Sequence, residues 1–518
     1  MYFPVHQGKS AGGRGSSARA GPPRTSALAG RQSVLFLSTG DLTDDRGTPL
    51  GRAHRSIGGR LSRAVLAALV GVPAAIPAAS AQSLTQALAE AYRTNPQLLG
   101  QRALLRATDE LVPQALANWR PTVAFTGQTG KAASAESVAG SPTLYSHSQP
   151  SSLDLTATQP VYRGGRTEAQ VRQAINTVEA TRAQSLAVET AVFQAVAQAY
   201  LDVVRDQNLV AVNRNNEHVL GQQFESTRIR AEIGELTGTD VAQAQSSFEQ
   251  ATAQRVAAEG RLEISRANYT RAVGHPPGRL VLPRERPALP ATRDEALALA
   301  ATSNPNVISA GFTELAARDN IDVVRGQLLP QVSAIGELNR TISQATSAGG
   351  ISSATTTTAS ITATMTMSLY EGGAIYSQTR QAEQTVGQRR SQLDDARRAA
   401  VQTADQNWAA LEAARAGIAS FAAAVRAAQI ALAGLQEEAL TGTRTVLDVL
   451  VGEQQLFTTQ GQLVTAQHDA AIAEFNVAAA IGRLIAPELR LPVRRYDLGR
   501  HYEAVKDKWI GFVGGLKE

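Results

Sequence analysis

The chain of 518 residues contains no cysteine, which excludes disulfides, thiolate metal sites, a cysteine nucleophile and a lipid-modified N-terminal cysteine. Residues 1–81 hold ten Lys/Arg and three Asp, a net +7, so the whole-chain charge of +5 leaves residues 82–518 with 5 − 7 = −2. The basic character therefore belongs to the N-terminal segment, and a nucleic-acid partner is not expected.

Residues 52–81 have the layout of a secretory signal peptide. Four arginines precede an apolar run at 64–78, and the small-residue sequence A-S-A follows and ends at residue 81. We therefore expect cleavage before Gln82 and export of the chain, with residues 1–81 as its leader. Beyond the leader no apolar run reaches the ~18–20 residues of a membrane-spanning helix, so we predict no such helix.

The rest of the chain is two copies of one unit. An offset of 208 residues superimposes the Tyr-x-Gly-Gly sequence at Tyr162 on that at Tyr370, and Asp240 on Asp448. Upstream of the strands the offset is 209. Two copies are too few for a solenoid and suit a pseudo-symmetric assembly that other subunits complete. The predicted repeats span 82–274 and 293–482, with a linker at 275–292 and a C-terminal tail at 483–518.

The first repeat is predicted as a helix, two strands, a very long helix and a further helix. Proline ends the first helix, and the strand that follows roughly alternates polar and apolar residues. From Arg166 to Ile233 there is no proline and one glycine, which predicts a helix of ~100 Å. The predicted bounds are a helix at about 84–118, strands at about 121–130 and 152–160 around a polar loop at 131–152, and helices at 166–233 and 239–273.

The second repeat follows the same plan. Its second strand has the clearest alternation in the chain, with polar and apolar residues changing places from Ser360 to Leu369. Apolar residues seven apart from Ala404 to Leu432 predict that the long helices pack as antiparallel coiled coils. The predicted bounds are a helix at about 293–327, strands at about 331–339 and 359–370 around a loop at 341–358, and helices at 374–441 and 446–482.

Two interpretations of these elements differ in the role of the strands. A periplasmic coiled-coil spacer without channel activity would need only the helices. Strands of ~9–11 residues joined by long polar loops suit an outer-membrane barrel instead. Four strands cannot close a barrel and lipid does not tolerate an open edge, so three chains with twelve strands are the simplest closed arrangement. The seven histidines are scattered without metal-ligand spacing, which argues against an enzyme and against a metal site.

The two-fold repeat, the Tyr-x-Gly-Gly strand ends and the sequence G-T-R-T-V-L-D-V-L at 442–450 resemble the TolC family of outer-membrane channel proteins. The resemblance covers nearly all of 83–510. It implies an α+β membrane protein, a homotrimer in which a twelve-stranded β-barrel with four strands per protomer continues into an α-helical periplasmic tunnel. It also implies outer-membrane lipid around the barrel, a periplasmic membrane-fusion adaptor, an inner-membrane ABC or proton-driven transporter, and no cofactor.

The same resemblance assigns candidate site residues at the turns between the long and short helices. Asp448 matches an aspartate ring that narrows the pore, Arg444 a latch arginine, and Asp240 the acidic partner of that arginine. Val451 and Ala439 depart from the family, because they stand where a second ring aspartate and a latch tyrosine are expected. Without the repeat, Arg444 and Asp448 would be interpreted as a solvated helix end. The candidate contacts for the adaptor are Gly234, Leu236, Gly442 and Thr443, although the glycines are also explained by the turns alone.

The resemblance also bears on the cargo and on the position of the C-terminal tail. The lack of an acylated cysteine argues against the lipoprotein drug-efflux branch, and the G-T-R-T turn favours the branch that serves type I secretion and some efflux pumps. Proteins and small molecules are both candidate cargo. Residues 275–292 and 483–518 are expected to surround the tunnel at mid-height. The basic residues Arg494, Arg495 and Lys506–Lys508 are predicted to form a solvated face.

Overall fold

The computed structural model describes residues 82–283, 285–347 and 350–511. The predicted leader at 1–81, with its signal peptide at 52–81, lies outside these ranges, as do residues 512–518 of the tail. The helices are α1 (Leu84–Thr94), α2 (Pro96–Asp109), α3 (Leu111–Ala117), α4 (Arg166–Glu232), α5 (Gly238–Val273), α6 (Arg293–Ser303), α7 (Pro305–Arg325), α8 (Ala374–Leu440), α9 (Val446–Ala480) and α10 (Arg500–Val505). The strands are β1 (Thr122–Thr129), β2 (Ala132–Glu136), β3 (Leu144–Arg163), β4 (Gln331–Ser347) and β5 (Gly350–Thr366).

The long helices begin and end within two residues of their predicted bounds, because glycines define both ends. The helices α4 and α8 each contain 67 residues, and each starts after a glycine in the left-handed region, Gly165 with φ 72° and Gly373 with φ 82°. At 1.5 Å per residue each is about 100 Å long. Helix α4 packs against α1, α2, α3 and α5 of its own repeat and against α7 and α9 of the second repeat, and α8 packs against α6, α7 and α9. Each long helix thus lies beside the shorter helices of its own repeat, as the lengths predict.

The single helix predicted at the start of each repeat is wrong in both repeats. The structure has α1, α2 and α3 in the first and α6 and α7 in the second. Asn95 and Asn304 leave the helical conformation, and each side chain caps the next helix by accepting a hydrogen bond from the amide two residues on. Pro96 and Pro305 follow as the first helical residues, where a missing N–H costs nothing. A second break at Glu110 separates α2 from α3 in the first repeat.

The strands are longer than predicted. They form one antiparallel sheet in the order β1-β3-β4-β5, with β2 paired to the far end of β3. The loops predicted at 131–152 and 341–358 are wrong for most of their length, since β3 has 20 residues and β4 and β5 have 17 each. Their Ser/Thr-rich sequences resemble loops, but the β4–β5 ladder runs unbroken from Gln331 to Ser347. The strand predicted to end at residue 370 ends at Thr366.

The backbones of the two repeats approach each other closely at the junction between the strands and the helices. A Cβ atom at Gly164 would collide with the carbonyl oxygen of Gly326, and a Cβ atom at Gly326 would collide with Gly164 and with the Arg166 side chain. The two backbones therefore touch at this point. The corresponding Gly372 has open space beside it, so it is needed for its φ of 62° and not for close approach.

The largest core lies where α1, α4, α5 and α9 meet the linkers. Its fully buried aromatic residues include Phe193, Tyr200 and Tyr269. Leu280 of the linker and Leu484 of the C-terminal tail are buried in the same core. Buried carboxylates fasten both segments as well. Glu189 accepts a 2.6 Å hydrogen bond from the amide of Ala486 in the tail, and Glu474 binds the guanidinium groups of Arg286 in the linker (2.8 Å) and Arg415 in α8 (2.9 Å).

The sequence predicts no segment apolar enough to cross a membrane, but helix α8 does not fit this prediction. By length and composition alone it passes that test, with a window of 18 residues whose mean hydropathy is 1.6 and of which 6% is buried. Its apolar residues do not form an unbroken run, because Ser420, Arg426 and Gln429 interrupt them. Of the apolar residues seven apart that predict coiled-coil packing, Ala404, Leu411 and Leu432 are buried.

Two tyrosines in the main core offer a matched test of its hydrogen bonding. The hydroxyl of Tyr200 donates to the carbonyls of Gln82 (2.9 Å) and Val281 (2.8 Å), whereas within the described part of the chain the buried hydroxyl of Tyr269 has no partner. We expect Tyr200→Phe to lower the free energy of unfolding by about 1–2 kcal/mol, because it removes a buried hydroxyl that pairs with two backbone carbonyls. Tyr269→Phe should be neutral or slightly stabilising. Denaturant unfolding of the purified protein measures both, and equal losses would contradict this account.

Candidate functional site: the two interhelical turns

The turn between α4 and α5 uses two local motifs in succession. Gly234, with φ 83°, ends α4, and the amides of Gly234 and Glu235 donate to the carbonyls of Ala231 and Arg230. This is a Schellman motif, which needs a left-handed residue after the helix. Three residues later Thr237 caps α5.

The turn between α8 and α9 repeats this arrangement at the same offset. Gly442 has φ 78°, and the amides of Gly442 and Thr443 donate to the carbonyls of Ala439 and Glu438. Thr445 then caps α9. The two turns are therefore the same structure built twice, as the repeat predicts.

Asp240 and Asp448 occupy the third position of their helices and close capping boxes. The Asp448 carboxylate accepts hydrogen bonds from the Thr445 amide (3.0 Å) and hydroxyl (2.8 Å), and the Asp448 amide donates to the same hydroxyl oxygen (3.2 Å). Asp240 makes the equivalent bonds with Thr237. These bonds hold the pKa of both aspartates below the usual value, with a further contribution from Arg444 at Asp448.

Arg444 finds its partner inside its own turn. Its Nε donates to Glu438 Oε2 at 2.8 Å, and both side chains are half exposed. The bond to Glu438 raises the pKa of Arg444. Within one chain the structure therefore pairs Arg444 with Glu438 and does not bring it to Asp240, the partner assigned by resemblance.

The first turn carries the same type of ion pair with the charges exchanged. Arg230, which stands at the position of Glu438, binds Glu235 at 3.0 Å. The position of Arg444 is occupied by Leu236. The two turns thus share a backbone but present different charges.

A small apolar cluster joins the two turns. It consists of Leu220, Ala251, Val446 and Leu450, with the partly buried Leu236 packed against it. Leu236 therefore supports the turn with the buried part of its side chain, and its role as an adaptor contact stays a prediction. Gly234, Gly442 and Thr443 are exposed, although the Thr443 hydroxyl donates to the Glu438 carbonyl at 2.9 Å.

Sequence reasoning missed several residues that shape this site. The threonine caps could have been found from the T-x-x-D pattern at 237–240 and 445–448. Glu438 could not be recognised as the partner of Arg444, because the five residues between them include the end of α8. Three large apolar side chains stand exposed around the second turn, at Leu440, Leu447 and Val451.

Comparison with known proteins assigns the chain to a group. The family model described as outer membrane efflux protein matches residues 87–275 and 296–483, which are the two repeats. The chain is 33% identical over 435 residues to the outer membrane efflux protein BepC of Brucella suis, covering 84% of this chain and 92% of that protein. It is 28% identical over 305 residues to the outer membrane protein TolC of Vibrio cholerae, covering 58% and 70% of the two chains.

The fold is also similar to that of solved structures. The crystal structure of the outer membrane protein VceC from Vibrio cholerae superimposes with a TM-score of 0.65 at 20% identity, covering 77% of this chain and 96% of that chain. The fold predicted from the sequence, a helical tunnel continuous with a barrel, is confirmed by this similarity.

The threonine caps lead to a local prediction. Thr445→Ala and Thr237→Ala should each remove a cap worth about 1 kcal/mol, so amides in the first turn of α9 or α5 should exchange hydrogen roughly fivefold faster. Thr239→Ala is the control, since Thr239 lies in the first turn of α5 without capping it. Hydrogen exchange followed by mass spectrometry measures the effect. Equal protection in all three variants would show that the caps do not stabilise the turns.

Proposed function

Because the chain belongs to the outer membrane efflux protein family, we propose that it is the exit duct of a tripartite export system, with a gate formed by the turns at 234–240 and 442–448. The protein is an outer-membrane export channel that extends into the periplasm. The gate, its residues, the cargo and the partner proteins are the proposal. The cargo class is proteins or small molecules, and the role is transport and not catalysis.

The observation that carries the proposal is the open sheet continuous with helices of about 100 Å. Its outer strands, β1 and β5, each have a neighbour on one side only within the described part of the chain. Large apolar side chains on the strands, such as Val123, Phe125, Ile361 and Met365, are exposed. Lipid would accept these side chains but not the unpaired backbone edges. Three copies would pair β1 of one protomer with β5 of the next and close a twelve-stranded barrel.

Helix α8 supports the same assembly. Most of its apolar window is exposed in the single chain. Alanine allows close approach of helix backbones, so a neighbouring protomer is the expected cover for this surface. A coiled-coil spacer without a channel, the alternative function, would explain the helices but would leave the apolar strand surface without a role.

The gate would act at the end of the tunnel opposite the strands. A three-fold ring of Asp448 carboxylates would attract cations and resist anions at a constriction. The bond between Arg444 and Glu438 uses only Nε, and among the described residues it is the one side-chain hydrogen bond of Arg444. The terminal nitrogens are therefore positioned for a second carboxylate. Asp240 of a neighbouring protomer is the proposed partner, and the pair would bias a closed state.

The exposed turns are the proposed docking surface for the partners. Gly234, Gly442 and Thr443 lie at the free ends of the helical hairpins, with Leu440 and Leu447 as nearby exposed apolar side chains. Glycine lets another helix approach the backbone closely. We infer that a periplasmic adaptor binds here and connects the channel to an inner-membrane ABC or proton-driven transporter.

The ring at Asp448 predicts a pH-dependent selectivity. Hydrogen bonds lower the pKa of Asp448, so its charge is present above the ordinary pKa of about 3.9 and is lost only as the pH falls through the depressed value. Cation preference, measured as a reversal potential in planar bilayers, should persist from neutral pH to about pH 4 and fall in Asp448→Ala.

Thr445→Val provides the control for this titration. It removes the hydroxyl bond to Asp448 while keeping the side-chain shape, so the pKa of Asp448 should rise and selectivity should be lost at higher pH. Mutual repulsion of three carboxylates affects both proteins equally. An unchanged reversal potential in Asp448→Ala would remove Asp448 from the constriction, and no openings by a protein that stays soluble without detergent would favour the spacer.

The latch predicts an effect on the closed channel. Arg444→Ala should raise the closed-state conductance, because it removes a contact that favours closure. Arg230→Ala is the matched control, since it breaks the ion pair of the first turn. Asp240→Asn should reproduce the effect if the latch joins protomers, whereas Glu438→Gln should reproduce it if the latch lies within one turn. Unchanged conductance in Arg444→Ala would rule out the latch.

A further inference from the structure

The C-terminal tail reaches the base of the strands. After α9 it runs beside α1 and α2, where the amide of Tyr496 donates to the hydroxyl of Tyr92 (3.0 Å) and His501 Nδ1 lies 3.2 Å from Asp109 Oδ2. Near its end the Lys508 carbonyl accepts a 2.6 Å hydrogen bond from Arg120. The tail residues 494–511 therefore extend upward from the mid-height position expected for them.

A basic groove of about 1660 Å³ separates this part of the tail from α2 and α3. Its lining includes seven Arg/Lys residues and two carboxylates, 7 − 2 = +5, in a mature chain whose net charge is −2. The basic residues are Arg102, Arg106, Arg120, Arg494, Arg495, Arg500 and Lys508. The solvated face predicted at Arg494, Arg495 and Lys508 is thus one wall of a groove.

Aromatic rings hold an arginine at each end of the groove. Arg102 lies between the rings of Tyr92 (4.5 Å) and Tyr496 (5.0 Å). Arg120 lies over the ring of Trp509 at 4.9 Å. Eighteen residues separate the two arginines, a rise of roughly 25 Å along α2 and α3. The groove therefore has a lower and an upper end at clearly different heights.

The upper end lies at the level of the membrane surface. Arg120 is two residues before β1, the first strand of the barrel. Tyr162 and Tyr370, at the same end of the strands, are exposed. Aromatic residues at strand ends mark the interface between the hydrocarbon and water. Trp509 and Ile510 are 66% and 89% exposed at this height, which is unfavourable in water but suits an interface.

We propose that the upper end of the groove binds the phosphodiester headgroup of a phospholipid in the periplasmic leaflet of the outer membrane. Arg120 and Lys508 supply the donors for the phosphate, and Trp509 and Ile510 enter the interface beside it. Glu503 is paired with Lys506 at 2.6 Å, and Asp507 is the exposed carboxylate that flanks the site. The proposal rests on the outer-membrane location and not on the gate.

This site would give a chain without cysteine a non-covalent attachment between its tail and the membrane. Lys508 and Trp509 lie near the end of the described part of the tail and outside the main core, so we expect variants there to leave the fold intact. Arg494 and Arg495 line the same groove roughly 25 Å lower, beyond the reach of a bilayer headgroup. They are therefore a matched control for charge.

The experiment counts phospholipids on the full-length mature protein. Protein purified in detergent is exposed to phosphatidylglycerol, and the bound lipids are counted by native mass spectrometry. The double variant Lys508→Gln/Trp509→Ala should retain about tenfold less lipid than wild type. It removes one interfacial cation, which contributes a several-fold gain in affinity, and one interfacial aromatic ring. Arg494→Gln/Arg495→Gln should retain as much as wild type. Equal retention in the double variant and wild type would overturn the proposal, as would a loss confined to the control.

A second measurement locates Trp509 directly. In protein with Trp119→Phe and Trp408→Phe, Trp509 is the remaining tryptophan. The protein is reconstituted into vesicles of phosphatidylethanolamine and brominated phosphatidylglycerol. The fluorescence of Trp509 should then be quenched by the brominated lipid and protected from aqueous iodide. Quenching by iodide alone would place the tail in water and overturn the proposal. Displacement of the counted lipid by inorganic phosphate would identify a site for free phosphate instead, which also overturns it.

Discussion

The whole molecule depends on one constraint, that every backbone N–H and C=O inside a membrane must be hydrogen-bonded. In lipid an unpaired sheet edge costs several kcal/mol per group, and only closure removes all edges. The described chain forms an antiparallel sheet whose outer strands, β1 and β5, each have one free side. The sheet of a single chain is therefore an incomplete barrel, and the strands of the two repeats form one segment of the closed barrel.

The junction between strands and helices transmits this arrangement into the periplasm. Each long helix begins directly after a glycine pair in the left-handed conformation; β3 reaches α4 through that pair alone, whereas residues 367–373 connect β5 to α8. At Gly164 the backbone also touches Gly326, which joins the two repeats at the base of the sheet. Any change in how the strands close is thus passed to two helices of 67 residues each.

Stability and function are separated along these helices. The middle holds the aromatic core and buried carboxylates such as Glu474, which fasten the linkers. The turns at the far end depend on local motifs, a glycine and a capped threonine, and on a few apolar contacts. Such ends can rearrange at small cost while the middle stays fixed. At the other end the tail meets the strand base, where Arg120 packs on the ring of Trp509 two residues before β1.

The sequence alone determined the repeat, the order of elements and the ends of the long helices, because glycine, proline and apolar periodicity act locally. It also predicted the family and the two aspartates that cap α5 and α9 as residues of interest, although not as caps. Only the tertiary structure decided the strand lengths, because polar Ser/Thr segments become strands when a neighbouring strand supplies their hydrogen bonds. It likewise decided that Arg444 binds Glu438, that Leu236 packs against the apolar cluster between the turns, and that the tail reaches the segment before β1. These features depend on contacts across a turn or between segments far apart in the chain, which no local pattern encodes.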